Sequence, residues 1–508
     1  MTIFLRRVAA LAALTFSVAS VYAQRSRLAG PLDNGRRVTL AGRVPGRART
    51  GVDLGRVPAD FQIPSVTLLL KPSADATTLI RDQQDPTSPQ YHKWLTPEQY
   101  ADRFGASQAD IDHITAWLQG QGLTVLSISR GRDSITVSGT ADQVQGAFQT
   151  QIHRYNVEGK QHYANASDPS VPAALAPLVA GIRGLHDFHP KPRLRAAKPD
   201  LNISGGFHAI GPDDFATIYN VKPLYDAGID GTGQKIAIVG QTALQTSDFT
   251  TFRTKFGLSA PNVTPMLVPR HTNPGVVSED LNEANLDIEW AGAVARNANI
   301  VYVYSSDVWT SAMYAIDSNV APVLSMSYGA CEAADLADMP LFQQYAQRAN
   351  AQGITWFAAS GDSGAADCDD SGVSIAQNGA GVDAPASIPE ITAMGGTEFN
   401  EQGGAYWTSA GLAQGYIPEK VWNDTAFDGQ LSAGGGGASV FFPRPSWQTG
   451  PGVPNDAVRH VPDLALSASA SHDGYSVVTH HGKLLYYELD ATEMRDPLDP
   501  HRGSVYRR

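Results

Sequence analysis

The chain has 508 residues, of which 42% are hydrophobic and 17% charged, with 48 Gly, 32 Pro and 2 Cys. This length predicts two or three globular domains around a large buried core. The formal net charge of −12 argues against a nucleic-acid-binding protein and favours a soluble protein with an acidic surface.

Residues 1–23 have the pattern of a secretory signal peptide. Arg6 and Arg7 precede an apolar segment at residues 8–18, and Val21 and Ala23 are small residues at −3 and −1 of a cleavage site. The apolar run is too short to span a membrane, and no later segment approaches that length. A lone N-terminal anchor is the alternative, but we predict a secreted, extracellular protein without a membrane partner.

Two cysteines, Cys331 and Cys368, are present. In an exported chain such a pair favours one disulfide, and two buried free thiols are the alternative. Two cysteines do not suffice for a structural zinc site.

Residues 24–56 are basic and are expected to be irregular. An α+β unit follows at residues 57–188 and is predicted to form a small sheet covered on one face. Its predicted strands and helices are a strand at 66–70, a helix at 107–119, strands at 123–128 and 135–137, and a helix at 141–148.

This unit resembles the activation propeptide of the sedolisin, or serine-carboxyl peptidase, family. The motifs that carry the resemblance are the run from Asp85-Pro86-Thr87 to Trp94-Leu95-Thr96-Pro97, then Phe104-Gly105, Trp117-Leu118, Ser138-Gly139-Thr140, Ala147-Phe148 and Tyr155. The resemblance implies a ferredoxin-like propeptide that folds first, covers the cleft of the catalytic domain and inhibits it within the same molecule.

Residues 189–207 are predicted to be an exposed linker. Three prolines and four basic residues stand between His189 and Asp200, and such extended segments are common sites of proteolysis. We expect maturation cleavage between Arg183 and His208.

The part at residues 208–482 alternates buried strands with helices. Apolar runs at 235–240, 299–304, 323–327 and 354–359 are typical of buried parallel strands. Helices are predicted at 278–295 and 341–351. The pattern predicts an α/β fold, a doubly wound parallel sheet with its site at the carboxyl ends of the strands.

The helix at 278–295 contains an unusual pair of acidic residues. Ser278 is a candidate N-cap, and Glu283 and Asp287 lie four residues apart, so their side chains meet on one face. A solvated acidic face is one interpretation. The other is a carboxyl pair that shares one proton, so that one partner serves as a general base.

Asp362 is a third candidate for catalysis, because it follows the strand at 354–359 in the segment Ser360-Gly361-Asp362-Ser363-Gly364. It could cap a backbone amide in a glycine-rich turn. Alternatively, in its protonated form it could donate a hydrogen bond to a developing oxyanion.

This part resembles the sedolisin catalytic domain, which has a subtilisin-like fold. The matching motifs are Glu283 with Asp287, Gly361-Asp362-Ser363-Gly364, Ser327-Tyr328-Gly329, Ala384-Pro385-Ala386-Ser387, Gly395-Gly396-Thr397, the glycines 434–437 with Ser439, the run from Phe442 to Gln448, and Val461-Pro462-Asp463. The resemblance implies that Glu283 takes the proton from a serine nucleophile, Asp287 polarises Glu283, and Asp362 stabilises the tetrahedral intermediate. Ser327, Tyr328 and Gly329 would pair with the backbone of a protein or peptide substrate. Because carboxyl groups titrate in acid, activity at low pH is expected.

The nucleophile of the family stands in Gly-Thr-Ser-x-x-x-Pro, and no serine of this chain has that context. The aspartate-rich loop that binds calcium in the family is also missing. We expect a C-terminally incomplete catalytic domain, an atypical tail at residues 483–508 and little or no proteolytic activity.

Three rival interpretations remain. In a trypsin-type protease Ser363 would attack, but Ala365 and Ala366 stand where that class requires Gly-Pro. A subtilisin-type enzyme would have an aspartate at the end of the first strand, where Gly240 and Gln241 stand instead. A non-catalytic protein that binds peptides in a decayed cleft is the third.

Overall fold

The protein is described by a computed structural model that covers residues 24–28, 30, 32–192, 209–260, 262–369, 372–409, 411–469, 474–479 and 483–486. The predicted signal peptide at 1–23, residues 193–207 of the predicted linker and the tail from residue 487 lie outside these residues.

The N-terminal part is an α+β unit followed by a short strand of the linker. Its strands are β1 (Arg37–Thr39), β2 (Val52–Arg56), β3 (Gln62–Leu70), β4 (Thr124–Ile128), β5 (Ser134–Thr140), β6 (Ile152–Val157), β7 (Lys160–Asn165), β8 (Ser170–Pro172), β9 (Val179–Arg183) and β10 (Lys191–Pro192). Its helices are α1 (Gly46–Thr50), α2 (Thr77–Gln84), α3 (Pro97–Phe104), α4 (Gln108–Gly120) and α5 (Ala141–Phe148).

A four-stranded antiparallel sheet, in the order β4-β5-β3-β9, forms the centre of this part. Helices α4 and α5 cover one of its faces through residues such as Ile111, Ile114 and Val144. Both helices begin where the sequence supplies a cap, since the side chains of Ser107 and Thr140 accept backbone N–H groups of the first turn.

The described part of residues 24–56 contains two strands and a short helix, which corrects the expectation of an irregular segment. Strand β1 pairs with β8, and β2 pairs with β6. The partners lie about one hundred residues or more further along the chain, so local sequence carries no signal of this pairing.

The C-terminal part is built on a large sheet with helices on both faces. Its strands are β11 (Lys235–Gly240), β12 (Val263–Leu267), β13 (Asn299–Tyr304), β14 (Val323–Met326), β15 (Tyr328–Cys331), β16 (Thr355–Ala359), β17 (Asp383–Ala384), β18 (Thr392–Phe399), β19 (Glu419–Val421), β20 (Gly437–Pro443), β21 (Val458–Val461), β22 (Leu464–Ser467), β23 (Ser476–Thr479) and β24 (Lys483–Tyr486). Its helices are α6 (Pro212–Ile218), α7 (Lys222–Asp226), α8 (Thr246–Lys255), α9 (Ser278–Val294), α10 (Val308–Asp317), α11 (Met339–Ala351) and α12 (Thr425–Asp428).

The main sheet runs in the order β12-β13-β11-β14-β16-β18-β19, and β22 also pairs with β18. All of these pairings are parallel except that of β19. The prediction of a doubly wound parallel sheet is therefore confirmed. Strand β12 was not predicted; its Pro265 cannot donate to a ladder, and β12 lies at an edge of the sheet.

Candidate active site

The acidic helix α9 is packed between the main sheet and a second layer. Ala284 and Ile288 pack against side chains of β11 and β13, whereas Leu286 and Trp290 belong to a cluster on the other side of the helix. Glu283 is 0% exposed, so the solvated-face interpretation is wrong for this residue. The predicted cap is also wrong, because Ser278 is the first helical residue and Val277 precedes it without a side-chain cap.

Asp287 is half-buried and contacts the residue that follows strand β14. The hydroxyl of Ser327 donates a hydrogen bond to Asp287 Oδ1 at 2.8 Å. Ser327 directly follows β14, so it lies where a parallel strand leaves the sheet. The second acidic residue of the pair therefore contacts the segment that was predicted to bind substrate.

Strand β15 turns away from the main sheet and pairs with the linker of the same chain. Lys191 is opposite Gly329, and Pro192 is opposite Tyr328, in antiparallel register. Because proline has no N–H, the pair that exchanges two hydrogen bonds is Lys191 with Gly329. The chain's own linker thus adds a strand at the predicted substrate-binding segment.

Glycine is required at position 329 by close packing. A Cβ on Gly329 would lie 2.5 Å from Asp383 Oδ2 and 3.0 Å from the carbonyl oxygen of Ala384. Strand β17 presses against β15 on the side opposite the linker, and a side chain would force the two strands apart.

Asp362 lies in a loop after β16 that backbone hydrogen bonds hold in place. The carbonyl oxygen of Asp362 accepts from the N–H of Ala433, and that of Gly361 accepts from the N–H of Gly435. A Cβ on Gly435 would come within 2.2 Å of the carbonyl oxygen of Ser360. The glycines 434–437 therefore let a second segment approach this loop closely.

Ser327 and the loop of Asp362 follow the carboxyl ends of two neighbouring strands. Strands β14 and β16 are parallel neighbours, with Met326 opposite Ala358. Ser327 and the loop that carries Asp362 both follow at the carboxyl ends of these strands. A disulfide between Cys331 and Cys368 joins the end of β15 to the same loop.

The surroundings of the acidic pair are apolar and negatively charged. Burial raises the pKa of Tyr328 well above its ordinary value, and the nearby Asp280 and Glu283 raise it further. Burial also raises the pKa of Asp280, which the side-chain amide of Gln241 opposes. Burial at this site therefore favours the protonated form of Asp280.

Among the described residues, no group of three or more His, Cys, Asp or Glu side chains could hold a metal ion. The structure thus assigns no ligands to the calcium that the family resemblance implies. No described helix has both the length and the apolar character needed to cross a membrane.

Comparison with known proteins identifies the family. A family model described as "Pro-kumamolisin, activation domain" matches residues 50–188. Kumamolisin of Bacillus sp. (strain MN-32) is 31% identical over 467 residues, which cover 87% of this chain and 80% of that protein. The chain belongs to the sedolisin family. It is a serine-carboxyl peptidase precursor with an activation domain.

Other sedolisins give similar alignments. Sedolisin of Pseudomonas sp. (strain 101) is 28% identical over 453 residues, covering 85% of this chain and 74% of its own length. The solved structure of Pseudomonas sedolisin, a serine-carboxyl proteinase complexed with two molecules of pseudo-iodotyrostatin, aligns with a TM-score of 0.45. Its sequence identity is 26%, over 56% of this chain and 76% of that one.

Gln241 was missed as a site residue in this sedolisin-family chain. It follows β11, and its side chain donates to the carbonyl oxygen of Pro190 at 2.9 Å and to Asp280 Oδ1 at 3.0 Å. Its place after a central strand of a doubly wound sheet was the available signal.

Proposed function

We propose that this protein has the fold and the peptide-binding cleft of a secreted, acid-acting endopeptidase precursor, and that it binds extended peptides along β15. The observation that carries the proposal is the antiparallel pairing of Lys191 and Pro192 with Gly329 and Tyr328. This is a peptide bound by strand addition, next to the carboxyl group of Asp287.

The roles that we propose for the three carboxyl groups are those that the family resemblance implies. Glu283, removed from water, takes a proton from the attacking hydroxyl. Asp287, fixed by Ser327, orients and polarises Glu283. Asp362 donates a hydrogen bond to the oxyanion when it is protonated. Because that donation requires the acid form, low pH favours the chemistry.

The linker acts as an intramolecular inhibitor in this proposal. Since it is covalently attached, it occupies the cleft at a high effective concentration and excludes other peptides. Release of the linker is then the step that opens the cleft.

We propose that the chain itself is catalytically silent. The base, its partner and the oxyanion group are present, but no serine of the sequence has the Gly-Thr-Ser-x-x-x-Pro context. Removal of a triad nucleophile lowers kcat by several orders of magnitude. A protein that binds peptides without cleaving them is therefore the second candidate function.

Incubation of the full chain in acid tests the proposal that it has no proteolytic activity. Between pH 3 and pH 6 we expect neither cleavage in the linker, followed by mass spectrometry, nor turnover of a quenched fluorescent peptide. The chain would be an active sedolisin if it cleaved itself, if Glu283→Gln abolished this cleavage, and if Glu279→Gln on the exposed first turn left it intact. Self-cleavage abolished by Ser363→Ala alone would instead revive the trypsin-type interpretation.

Peptide binding tests the cleft independently of turnover. Lys191→Pro removes the N–H of the two-bond pair, so the linker should leave the cleft more often and an added extended peptide should bind roughly tenfold more tightly. Lys191→Ala is the matched control, because it keeps the backbone N–H. Equal affinities for the two variants would contradict peptide binding at β15.

A further inference from the structure

Gln241 lies against the linker with every polar atom of its side chain occupied. The residue is 8% exposed. Its amide nitrogen donates to the carbonyl oxygen of Pro190 at 2.9 Å and to Asp280 Oδ1 at 3.0 Å, and its amide oxygen accepts from the N–H of Val308 at 3.3 Å. Exchanging the oxygen and nitrogen would turn all three contacts into repulsive ones, so only one orientation of the amide is possible.

The contact with Pro190 lies on the edge of the linker that faces away from β15. In an antiparallel ladder successive residues direct their polar groups to opposite sides. Lys191 directs its N–H and C=O toward Gly329, so the carbonyl of Pro190, one residue earlier, points the other way. The linker is thus held on one edge by the backbone of β15 and on the other by a single side chain.

Asp280 connects this contact to the catalytic helix. It is 7% exposed and belongs to the first turn of α9, three residues before Glu283. Residues three apart are neighbours on the surface of a helix. The position of the Gln241 amide is therefore set by the same helix that carries the acidic pair.

We propose that Gln241 is a peptide-binding residue of this cleft. Its side-chain amide binds the backbone carbonyl of the ligand residue that precedes the one paired with Gly329. A carbonyl is common to every residue, so the contact demands an extended backbone and tolerates any side chain, proline included. The inference rests on the proposed function in one respect: a substrate must bind in the cleft with the same chain direction as residues 190–192.

Hydrogen exchange of the full chain tests the proposal. In Gln241→Ala the amide of Lys191 should exchange roughly three- to tenfold faster than in the wild type, the cost of one hydrogen bond. Gln241→Glu should have a larger effect, because a carboxylate would face both Asp280 and the carbonyl of Pro190. Gln448→Ala is the matched control: Gln448 is also 8% exposed, but its amide binds the backbone of His460.

Unchanged exchange at Lys191 in a folded Gln241→Ala protein would overturn the proposal. So would faster exchange spread evenly over β11 and α9, because that pattern marks a purely structural role. Should Gln241→Ala fail to fold, Gln241→Asn, which keeps the amide on a shorter side chain, gives the same readout.

A second measurement separates this inference from the proposed function. A synthetic peptide with the sequence of residues 187–192, added in excess to Lys191→Pro, should protect the amide of Gly329 if the cleft binds peptides. If the peptide did not protect the amide of Gly329, but Gln241→Ala still sped up exchange at Lys191, peptide binding in trans would be refuted. The contact of Gln241 with the linker would still hold. If the peptide protected Gly329 equally well with and without Gln241→Ala, the role of Gln241 would be refuted. Peptide binding in the cleft would still hold.

Discussion

Ser327 joins the acidic helix to the start of β15 through one hydroxyl group. It donates to Asp287 Oδ1 at 2.8 Å and is followed at once by Tyr328 and Gly329, which pair with the linker. The hydroxyl group of Ser327 thereby holds Asp287 next to the strand that pairs with the linker.

Ser327→Ala should remove this link without creating a large cavity. We expect the free energy of unfolding to fall by about 1–2 kcal/mol, as for a hydrogen bond to a charged group that is partly exposed. Urea titration at neutral pH measures the change. Ser409→Ala, at an exposed position, is the control, and equal stabilities of the two variants would show that the hydroxyl contributes nothing.

Helix α9 carries polar side chains on two opposite faces. Asp287 contacts Ser327 at the end of β14, while Asn285 and Glu289, each two residues away and about 200° around the helix, contact other elements. The amide nitrogen of Asn285 donates to Asp248 Oδ2 of α8 at 3.0 Å, and Glu289 Oε2 accepts from the N–H of Val478 in β23 at 2.8 Å. The helix is therefore positioned by polar contacts on both sides.

The burial of Glu289 makes stability depend on pH. Burial raises the pKa of Glu289 well above its ordinary value, and the charge of Asp248 raises it further. In the folded state Glu289 keeps its proton at pH values where the unfolded chain has lost it. Stability is therefore full below the ordinary value and falls as the pH rises toward the raised pKa, by about 1.4 kcal/mol for each unit of the shift.

Glu289→Gln should flatten this decline. A glutamine is neutral at every pH and can still accept from the N–H of Val478, so the variant should match the wild type near pH 4 and exceed its stability near pH 7. Thermal unfolding at the two pH values measures the difference. Glu279→Gln, on the exposed part of the helix, should leave the pH dependence unchanged; a parallel decline in Glu289→Gln would refute the assignment.

At the scale of the whole molecule, one buried arginine connects the two parts. Arg348 of α11 is 0% exposed and forms salt bridges with Asp133 of the N-terminal part at 3.1 Å and with Asp317 of α10 at 2.6 Å. Its guanidinium also lies over the ring of Tyr100, 5.4 Å from the centroid. The activation domain is thus held by a desolvated charge as well as by apolar packing.

Arg348→Met should weaken docking of the activation domain strongly. Asp133 is 2% exposed and would keep a buried charge without its partner, at a cost of about 3–5 kcal/mol. Asp133→Asn in the same background should recover part of the loss. A double-mutant cycle by urea unfolding measures the coupling.

The exposed pair of Arg81 and Asp82 provides the control for this cycle. Arg81→Met should change stability by less than about 1 kcal/mol. If the effects of Arg348→Met and Asp133→Asn were simply additive, the two residues would not act as a pair.

Several elements could be read from sequence because their signals are local. Helix α5 has the predicted bounds, since Thr140 and Gln143 form a capping box at its start. The buried strands β11 and β13 also have the predicted bounds, because short continuous apolar runs are typical of buried parallel strands. Strand β12 and the pairings of β1 and β2 were missed, since each depends on a partner distant in sequence.

Sequence by itself determined the main alternation of helices and buried strands, the doubly wound sheet and the placement of two acidic residues one helical turn apart, because periodicity and motif spacing are properties of neighbouring residues. The tertiary structure alone decided that Glu283 is buried, that Asp287 contacts Ser327, and that residues 190–192 lie between β15 and Gln241. These facts depend on which distant segments face one another, and spacing along a chain does not encode that.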